Sequence, residues 1–462
     1  MTTANYLSVD DIKVWRPEAI IPLASHRDAL IKQRLNDNGL WLPQQTAGKR
    51  WAIGCVALEI TQRCNLDCSL CYLSEHSQAV NDMPLDEIFR RIDLIFAHYG
   101  PRTDVQITGG DPTLRPRDEL VAIVRYITAK DMRASLFTNG ILATRDLLTE
   151  LAAAGLVDVA FHVDMTQGRK GYRDEKALNA VRSEYIERAR GLNLAVIFNT
   201  TLFSGNFHDV PELVRYFSAN ADVVSFVSFQ LQADTGRGVL RQRADAINID
   251  NTIARIEQGA GTPLSFDTLL GGHQRCNRYA FAFVINSKLY DGLNDPNLAV
   301  AFMNQTAHVA FDRGNRRKAL RAALTAVLKK PSLWFASLRW LTRLAWRARV
   351  DLRVAKARVH KLSFFVHNFM DACHLERDRA ESCIFMTMTA DGPISMCVHN
   401  AKRDDFILKP IQIVRKGEAM SWNPLSGIGA TSEIQVPSPN AYPLPLKRGR
   451  TRHLELQTRK NL

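Results

Sequence analysis

Three cysteines, Cys64, Cys68 and Cys71, follow a short apolar run in LEITQRCNLDCSLC, at spacing C-x3-C-x2-C. A structural zinc site needs four ligands, usually as two C-x2–4-C pairs, and a thioredoxin-type site needs one C-x-x-C without a third thiol. Three thiolates within eight residues instead suit three corners of a [4Fe–4S] cube, leaving the fourth iron open to a small molecule. Four further cysteines, Cys276, Cys373, Cys383 and Cys397, lie far downstream, three of them around the turn ADGP at 390–393. Four thiols close a second, fully protein-ligated cube, although free cysteine is as often a small packed residue. Cys55, just ahead of the apolar run, reads as such a packed thiol. His162 and Asp164 fall on one face of a strand by its period of two, which makes them candidate cavity residues.

The elements that must hold these groups alternate along the chain. Strand-like runs occur at 56–61, 104–108, 133–138, 157–163, 194–200 and 223–229. Amphipathic helical patterns separate them, as in PLDEIFRRIDLIFAHYG, with Pro84 at its start and Gly100 past its end. Six strand–helix units in strict alternation predict parallel strands with right-handed crossovers. Polar and glycine-rich residues recur just past the strand ends, where barrel active sites lie, which favours a barrel over an open doubly wound sheet.

These motifs resemble those of the radical S-adenosylmethionine (SAM) enzymes. Cys64, Cys68, Leu70 and Cys71, with Tyr72 following, match the family's cysteine signature. TGGDP (108–112) is similar to its glycine-rich strand-two motif, TNG (138–140) to its strand-three end, and FHVD (161–164) and FNTT (198–201) to strands four and five. The likeness covers about residues 55–235 and implies an α/β fold, a partial (β/α)6 TIM-like barrel. It also implies that Cys64, Cys68 and Cys71 hold a [4Fe–4S] cluster whose open iron chelates SAM. Gly109, Gly110, Asp111, Pro112, Leu70, Asn139, His162, Asp164 and Asn199 would then line the SAM site. One electron, from a reductase or a flavodoxin- or ferredoxin-type donor, would cleave SAM to a 5′-deoxyadenosyl radical that abstracts hydrogen. No residue is singled out as catalytic beyond these cofactor contacts. The stretch FMDACHLERDRAESCIFMTMTADGPISMCVHN resembles the end of the branch containing the archaeal tetraether lipid synthase, once described as a pterin methyltransferase. A lipid or isoprenoid substrate is therefore expected. A radical SAM peptide maturase, a pterin methyltransferase and a non-enzymatic iron–sulfur electron carrier are the alternatives.

The chain has 462 residues, is 46% hydrophobic and 23% charged, and carries a formal net charge of +13. That excess is local: residues 312–361 hold 15 Lys and Arg against two Asp, and the remainder carries 45 groups of each sign. Within 332–362, Trp334, Leu338, Leu341, Ala345, Ala348, Leu352, Ala355, Val359 and Leu362 recur at steps of four and three, predicting one apolar stripe on a basic helix. A helix docked on the barrel fits this pattern, and so does an in-plane helix on an anionic membrane. Nucleic-acid binding is the weakest reading, because a basic patch alone does not specify it. Residues 1–15 have no basic region leading into an apolar core, and eight scattered cysteines are too few for a disulfide scaffold. The expected location is the cytoplasm, with peripheral contact at the inner face of the membrane. The expected division is an N-terminal arm or cap (1–54), the barrel (55–262), an auxiliary-cluster region (263–410) with a helical insertion at 312–362, and a mostly disordered tail (411–462).

Overall fold

The structure, a computed structural model, describes residues 5–22, 29–238, 247–313, 315–415 and 418–430. Two short helices, α1 (Val9–Val14) and α2 (Ala29–Asp37), precede the first strand. The alternation then runs β1 (Cys55–Thr61), α3 (Leu85–Tyr99), β2 (Asp104–Gly109), α4 (Arg117–Ala129), β3 (Arg133–Thr138), α5 (Arg145–Ala153) and β4 (Asp158–His162). It continues with α6 (Asn179–Ala189), β5 (Ala195–Leu202), α7 (Val210–Ala219), β6 (Val224–Leu231) and α8 (Ile249–Ala260). Every strand expected from the sequence is present within one or two residues. Helix α3 shows why: Asp86 and Glu87 sit in its first turn and Gly100 ends it at φ 74°. Ile88, Ile92, Ile95 and Tyr99 form its buried stripe against the sheet.

Beyond α8 the chain returns to the same sheet. A hairpin, β7 (Asn277–Ile285) and β8 (Lys288–Asp291), is followed by α9 (Pro296–Gln305), α10 (Arg316–Leu328), α11 (Pro331–Arg347) and α12 (Arg349–Val354). Then come β9 (His360–Asn368), β10 (Phe385–Met388) and β11 (Pro393–Ser395). The strand order is β11-β10-β1-β2-β3-β4-β5-β6-β9-β7-β8, in one 11-stranded sheet. β9 pairs parallel to β6, and β10 parallel to β1, so two late strands extend both edges of the six-stranded barrel. Phe385 of β10 meets His367 and Phe365 of β9 at ring centroids 4.6 and 6.1 Å apart, so the two ends of the parallel array touch through side chains. The strands of residues 263–410 therefore belong to the same sheet as the barrel, with the helices α9–α12 between β8 and β9.

Two more expectations change. The stripe over 332–362 does not lie on one helix: α11 stops at Arg347, α12 is a new short helix, and β9 begins at His360. The segment after 410 is structured where it is described, as an antiparallel sheet of β12 (Ile411–Arg415), β13 (Glu418–Asn423) and β14 (Ile428–Ala430). The rest of the expected tail, 431–462, lies outside the described residues. The N-terminal residues act as a cap, bridging Tyr6 to Glu376 and Gln45 to Leu270.

Inside the barrel the strand register sorts residues into two sets. Val159, Phe161, Phe198 and Val227 are fully buried, and ring contacts of Phe161 with Tyr185 and Phe198 with Phe217 show this face packed on α6 and α7. The alternate set faces the lumen. One row runs His162–Asn199–Ser228–Phe365 across β4, β5, β6 and β9. A row nearer the base runs Phe137–Ala160–Ile197–Phe226–Ser363. The lumen is polar toward the C-terminal ends of the strands and aromatic below.

Candidate functional site

The cysteine loop leaves the C-terminal end of β1 and is clasped from two sides. On one side Gly110 N donates to Thr61 O at 2.8 Å and Asp111 N to Arg63 O at 2.8 Å. A Cβ on Gly109 would lie 2.0 Å from Thr61 O, and one on Gly110 would lie 1.8 Å from Arg63 O. Only glycine permits this approach. On the other side, past β6, Gly236 has φ 53° and a Cβ there would lie 2.3 Å from Tyr72 O. Arg237 N donates to Leu73 O at 2.7 Å. Tyr72 Oη donates to Gly109 O at 2.5 Å, and Ser69 N to Thr166 O at 2.7 Å, tying the loop to β2 and to the turn after β4. Cys64 and Cys68 are half-buried and Cys71 is buried. Leu70 lies beneath Gly238, whose Cβ position is 3.4 Å from Leu70 Cα.

The other expected contacts fall around this loop. Asp111 is fully buried, and its carboxylate accepts from Thr113 N, Thr113 Oγ1, Thr138 Oγ1 and Asn139 N at 2.5–3.0 Å. It ties the GGDP and TNG turns together, and Pro112 starts the short turn that follows. Asn139 Nδ2 donates to Asn65 Oδ1, within the cysteine loop, at 2.6 Å. His162 Nε2 lies 2.6 Å from Asp164 Oδ2, and Asp164 also accepts from Thr166 N, Thr166 Oγ1 and Thr201 N. Burial would raise the Asp164 carboxyl, but His162 and these donors hold it at about 2. Burial would lower His162, but the Asp164 carboxylate outweighs it and the imidazole stands above its ordinary value. Asn199 is buried beside His162 in the same lumen row.

Three groups that the sequence reading passed over complete the rim. Arg237 is 2% exposed; Nη1 donates to Ser77 Oγ at 2.7 Å, while Nε and Nη2 have no partner among the described residues. A buried guanidinium behind a three-thiolate loop suits an anionic cluster. The signal was the GRG at 236–238. Arg403 lies 4.7 Å from the Tyr72 ring and pairs with buried Glu59, whose carboxyl burial would raise but Arg403 holds at about 2. Glu175 and Arg182, both fully buried, form an ion pair that also binds Met165 N, Asn206 Nδ2 and Val163 O. It fixes the loops after β4 and β5, and no motif in the sequence announces it.

Of the distal cysteines, three share one buried neighbourhood. Burial pushes the Cys276 thiol up to about 11 and Cys397 to about 12, with Cys383 adding to both. Arg379 Nε donates to Cys276 Sγ at 3.2 Å, and Met370 N to Cys397 Sγ at 3.5 Å. Cys383 Sγ donates to Phe385 O at 3.0 Å. Cys373 is exposed, 3.1 Å from His374 Nδ1. Cys55 is buried and its thiol is raised by burial, as expected of a packed residue. No disulfide joins any of the eight cysteines. Among the described residues no three His, Cys, Asp or Glu side chains converge on a single-ion site, in either cysteine group. A cube is gripped at separate corners, so its thiolates stand farther apart than the ligands of one ion. The first loop fits such a group on its glycine clasp and buried Arg237.

The family profile described as the Radical SAM superfamily matches residues 58–217. The 7,8-dihydro-6-hydroxymethylpterin dimethyltransferase of Methanocaldococcus jannaschii is 29% identical over 189 residues, 39% of this chain and 36% of that protein. The PqqA peptide cyclase of Bradyrhizobium diazoefficiens is 31% identical over 165 residues, 35% and 42% of the two chains. The GTP 3′,8-cyclase of Streptomyces coelicolor is 32% identical over 194 residues, 40% and 55%. The chain thus spans roughly a third to a half of the relatives it matches. The solved structure of Streptococcus suis SuiB bound to precursor peptide SuiA aligns at TM-score 0.35, with 14% identity, over 49% of this chain and 48% of that one.

Proposed function

From a chain that carries a radical SAM superfamily domain at residues 58–217, we propose an enzyme that abstracts hydrogen from an unactivated C–H bond. The cluster and SAM, when bound, supply the 5′-deoxyadenosyl radical. The protein's part is positional. Cys64, Cys68 and Cys71 hold the cluster, and the Gly109–Gly110 backbone and the Asp111–Asn139 turn shape the SAM site beside it. Arg237 sets a buried guanidinium beside the residues that follow the cysteine loop, and the barrel wall would exclude water from the reacting centre. The single observation that carries this reading is the loop Cys64–Cys71, clasped by glycines at a barrel mouth. The protein, reconstituted anaerobically and given dithionite and SAM, is expected to release 5′-deoxyadenosine. A full cluster complement with no such product overturns the reading.

For the substrate we assign a lipid or isoprenoid chain. Support comes from Phe137 and Phe226 in the row beneath the polar rim, with Phe365 closing the rim row itself, which suits an apolar chain with a polar head. The M. jannaschii relative, named for a pterin, supports the pterin methyltransferase alternative instead. A second cluster on Cys276, Cys383 and Cys397 with Cys373 belongs to the same proposal, supported by the shared neighbourhood of the first three. A peptide substrate is the second reading, favoured by the polar rim and by the peptide-cyclase relative. Transfer of deuterium into 5′-deoxyadenosine from a perdeuterated prenyl or acyl chain supports the first; transfer from a deuterated peptide alone refutes it.

A further inference from the structure

The +13 segment is built as a surface, not as a docked helix. Helices α10 and α11 form a hairpin closed at its turn by Trp334, whose Nε1 donates to Val327 O at 2.9 Å and Leu328 O at 3.2 Å. α11 has two apolar faces. The docked one carries buried Leu333 and half-buried Trp340, which packs on Phe283 at 5.8 Å and donates to Asn294 Oδ1 at 2.8 Å. The other carries Phe335, Leu338 and Leu341, exposed by 76%, 63% and 52%. α10 adds Leu320, Leu324 and Leu328 at steps of four, exposed by 57–71%. Single exposed apolar residues are ordinary, but ridges on two adjoining helices mark an interaction site. Arg339, Arg343 and Arg347 recur at steps of four along α11 and all are exposed. Of the segment's two acids, Asp351 is engaged by Asn286, Lys288 and Tyr290, and Asp312 by Lys318; Arg339 lies 3.9 Å from Asp295, outside the segment.

We propose that the α10–α11 hairpin is an in-plane anchor for an anionic phospholipid surface, seating Leu324, Leu328, Phe335 and Leu338 at the headgroup boundary with arginines beside the phosphates. Trp334 and Trp346 are half or more exposed, as aromatic residues at such a boundary are. A second copy of this chain would bring the same positive charge to the contact, and nucleic acid offers no counterpart for the leucine ridges. No helix among the described residues is long and apolar enough to cross a membrane, so the contact lies in the surface plane.

The roots of the hairpin set its direction. Arg313, just before it, pairs with Asp104 and Asp158, the first residues of β2 and β4. Asp351, just after it, binds Asn286 at the β7–β8 turn, and β9 starts at His360. All these anchor points lie at the N-terminal base of the barrel, whereas the cysteine loop lies at the C-terminal mouth. Strands of seven residues span roughly 20 Å at about 3.3 Å per residue. The anchor thus tethers the enzyme by its base and leaves the mouth turned away from the bilayer, so a lipid substrate reaches it only after leaving the membrane.

The test is sedimentation of the full chain with vesicles of phosphatidylcholine alone or with a third phosphatidylglycerol. The expected result is at least tenfold stronger partition to the anionic vesicles, weakened by salt. The pair Phe335→Glu/Leu338→Glu, on exposed sites, is expected to cut that partition at least tenfold with unchanged melting temperature. Trypsin added to vesicle-bound protein is expected to spare the Lys329–Lys330 bond at the hairpin turn, which it cuts in the free protein, while still cutting at exposed Lys170 near the mouth. The proposal is overturned if the wild type ignores anionic vesicles or if the glutamate pair binds them equally. It is also overturned if that pair dissolves a wild-type dimer, or if an oligonucleotide binds wild type and variant alike and displaces the vesicles. Protection at Lys170 overturns the orientation.

Discussion

The mouth and the base of this barrel are built on opposite plans. At the mouth, backbone does the holding: glycines at 109, 110 and 236 let strands press on the cysteine loop through carbonyl and amide contacts. At the base, charge does it: Arg313 bridges Asp104 and Asp158, Arg133 lies 3.7 Å from Asp104, and Ser135 donates to Asp158 at 2.8 Å. A clasp made of backbone has no slack and fixes position to a fraction of an ångström. A plug made of long ion-paired side chains fastens one element to another. The barrel thus positions chemistry at one end and attaches an insertion at the other.

The sharpest way to break this division is at the cysteine loop. Cys64→Ala, and likewise Cys68→Ala or Cys71→Ala, is expected to abolish SAM cleavage, by at least a thousandfold, with loss of bound iron and an unchanged circular dichroism spectrum. Retained cleavage would move the site elsewhere. Next, Gly110→Ala forces a methyl into the space of the Arg63 carbonyl, and overpacking of this kind costs about 1–3 kcal/mol. Its displacement of the loop should lower 5′-deoxyadenosine release about a hundredfold while the melting temperature falls only a few degrees. At the base the pattern should invert. Arg313→Met leaves Asp104 and Asp158 without their shared cation. With Arg313 itself about a third exposed, the loss should be about 2–3 kcal/mol by denaturant unfolding, with iron content unchanged.

The smallest effect expected is a pH dependence at the rim. His162 is raised in the folded protein, so its stabilisation is complete below the unfolded value of about 6.5 and disappears as pH rises through the higher folded value. Asp164 is lowered to about 2, so its contribution is complete above about 4 and disappears as pH falls toward 2. His162→Gln should flatten the wild-type loss of stability above neutral pH, seen as a smaller difference in melting temperature between pH 6 and 8.

The mouth was largely legible in the sequence because its signals are local. The C-x3-C-x2-C loop, GGDP and TNG each state their geometry within a few residues, and the strands feeding them are short β-rich runs bounded by helical patterns. What was not legible depended on distance or on choosing between faces. Phe385–Met388 is four residues long and nothing in it announces pairing with β1, some 330 residues earlier. α11 presents two apolar stripes, and periodicity picked out the one with Trp334, Leu338 and Leu341, open between docking and a membrane surface, while the stripe with Leu333 and Trp340 that docks went unmarked. Glu175 and Arg182 sit in a loop and a helix with no shared motif, and only tertiary packing reveals that each is the other's charge partner.

The late arrival of β9 and β10 has a consequence for biosynthesis. β6 ends at Leu231, but β9 is complete only at Asn368 and β10 only at Met388. At about 5–20 residues per second, the ribosome takes roughly 10–30 s to deliver the two strands that cover the edges of β1 and β6. For that interval the nascent half-barrel exposes unpaired backbone on both flanks, the surface on which chains add to one another. Truncation before β9 should therefore yield aggregate instead of a smaller barrel, and slow synthesis should demand the most from the cell's chaperones over this stretch of the message.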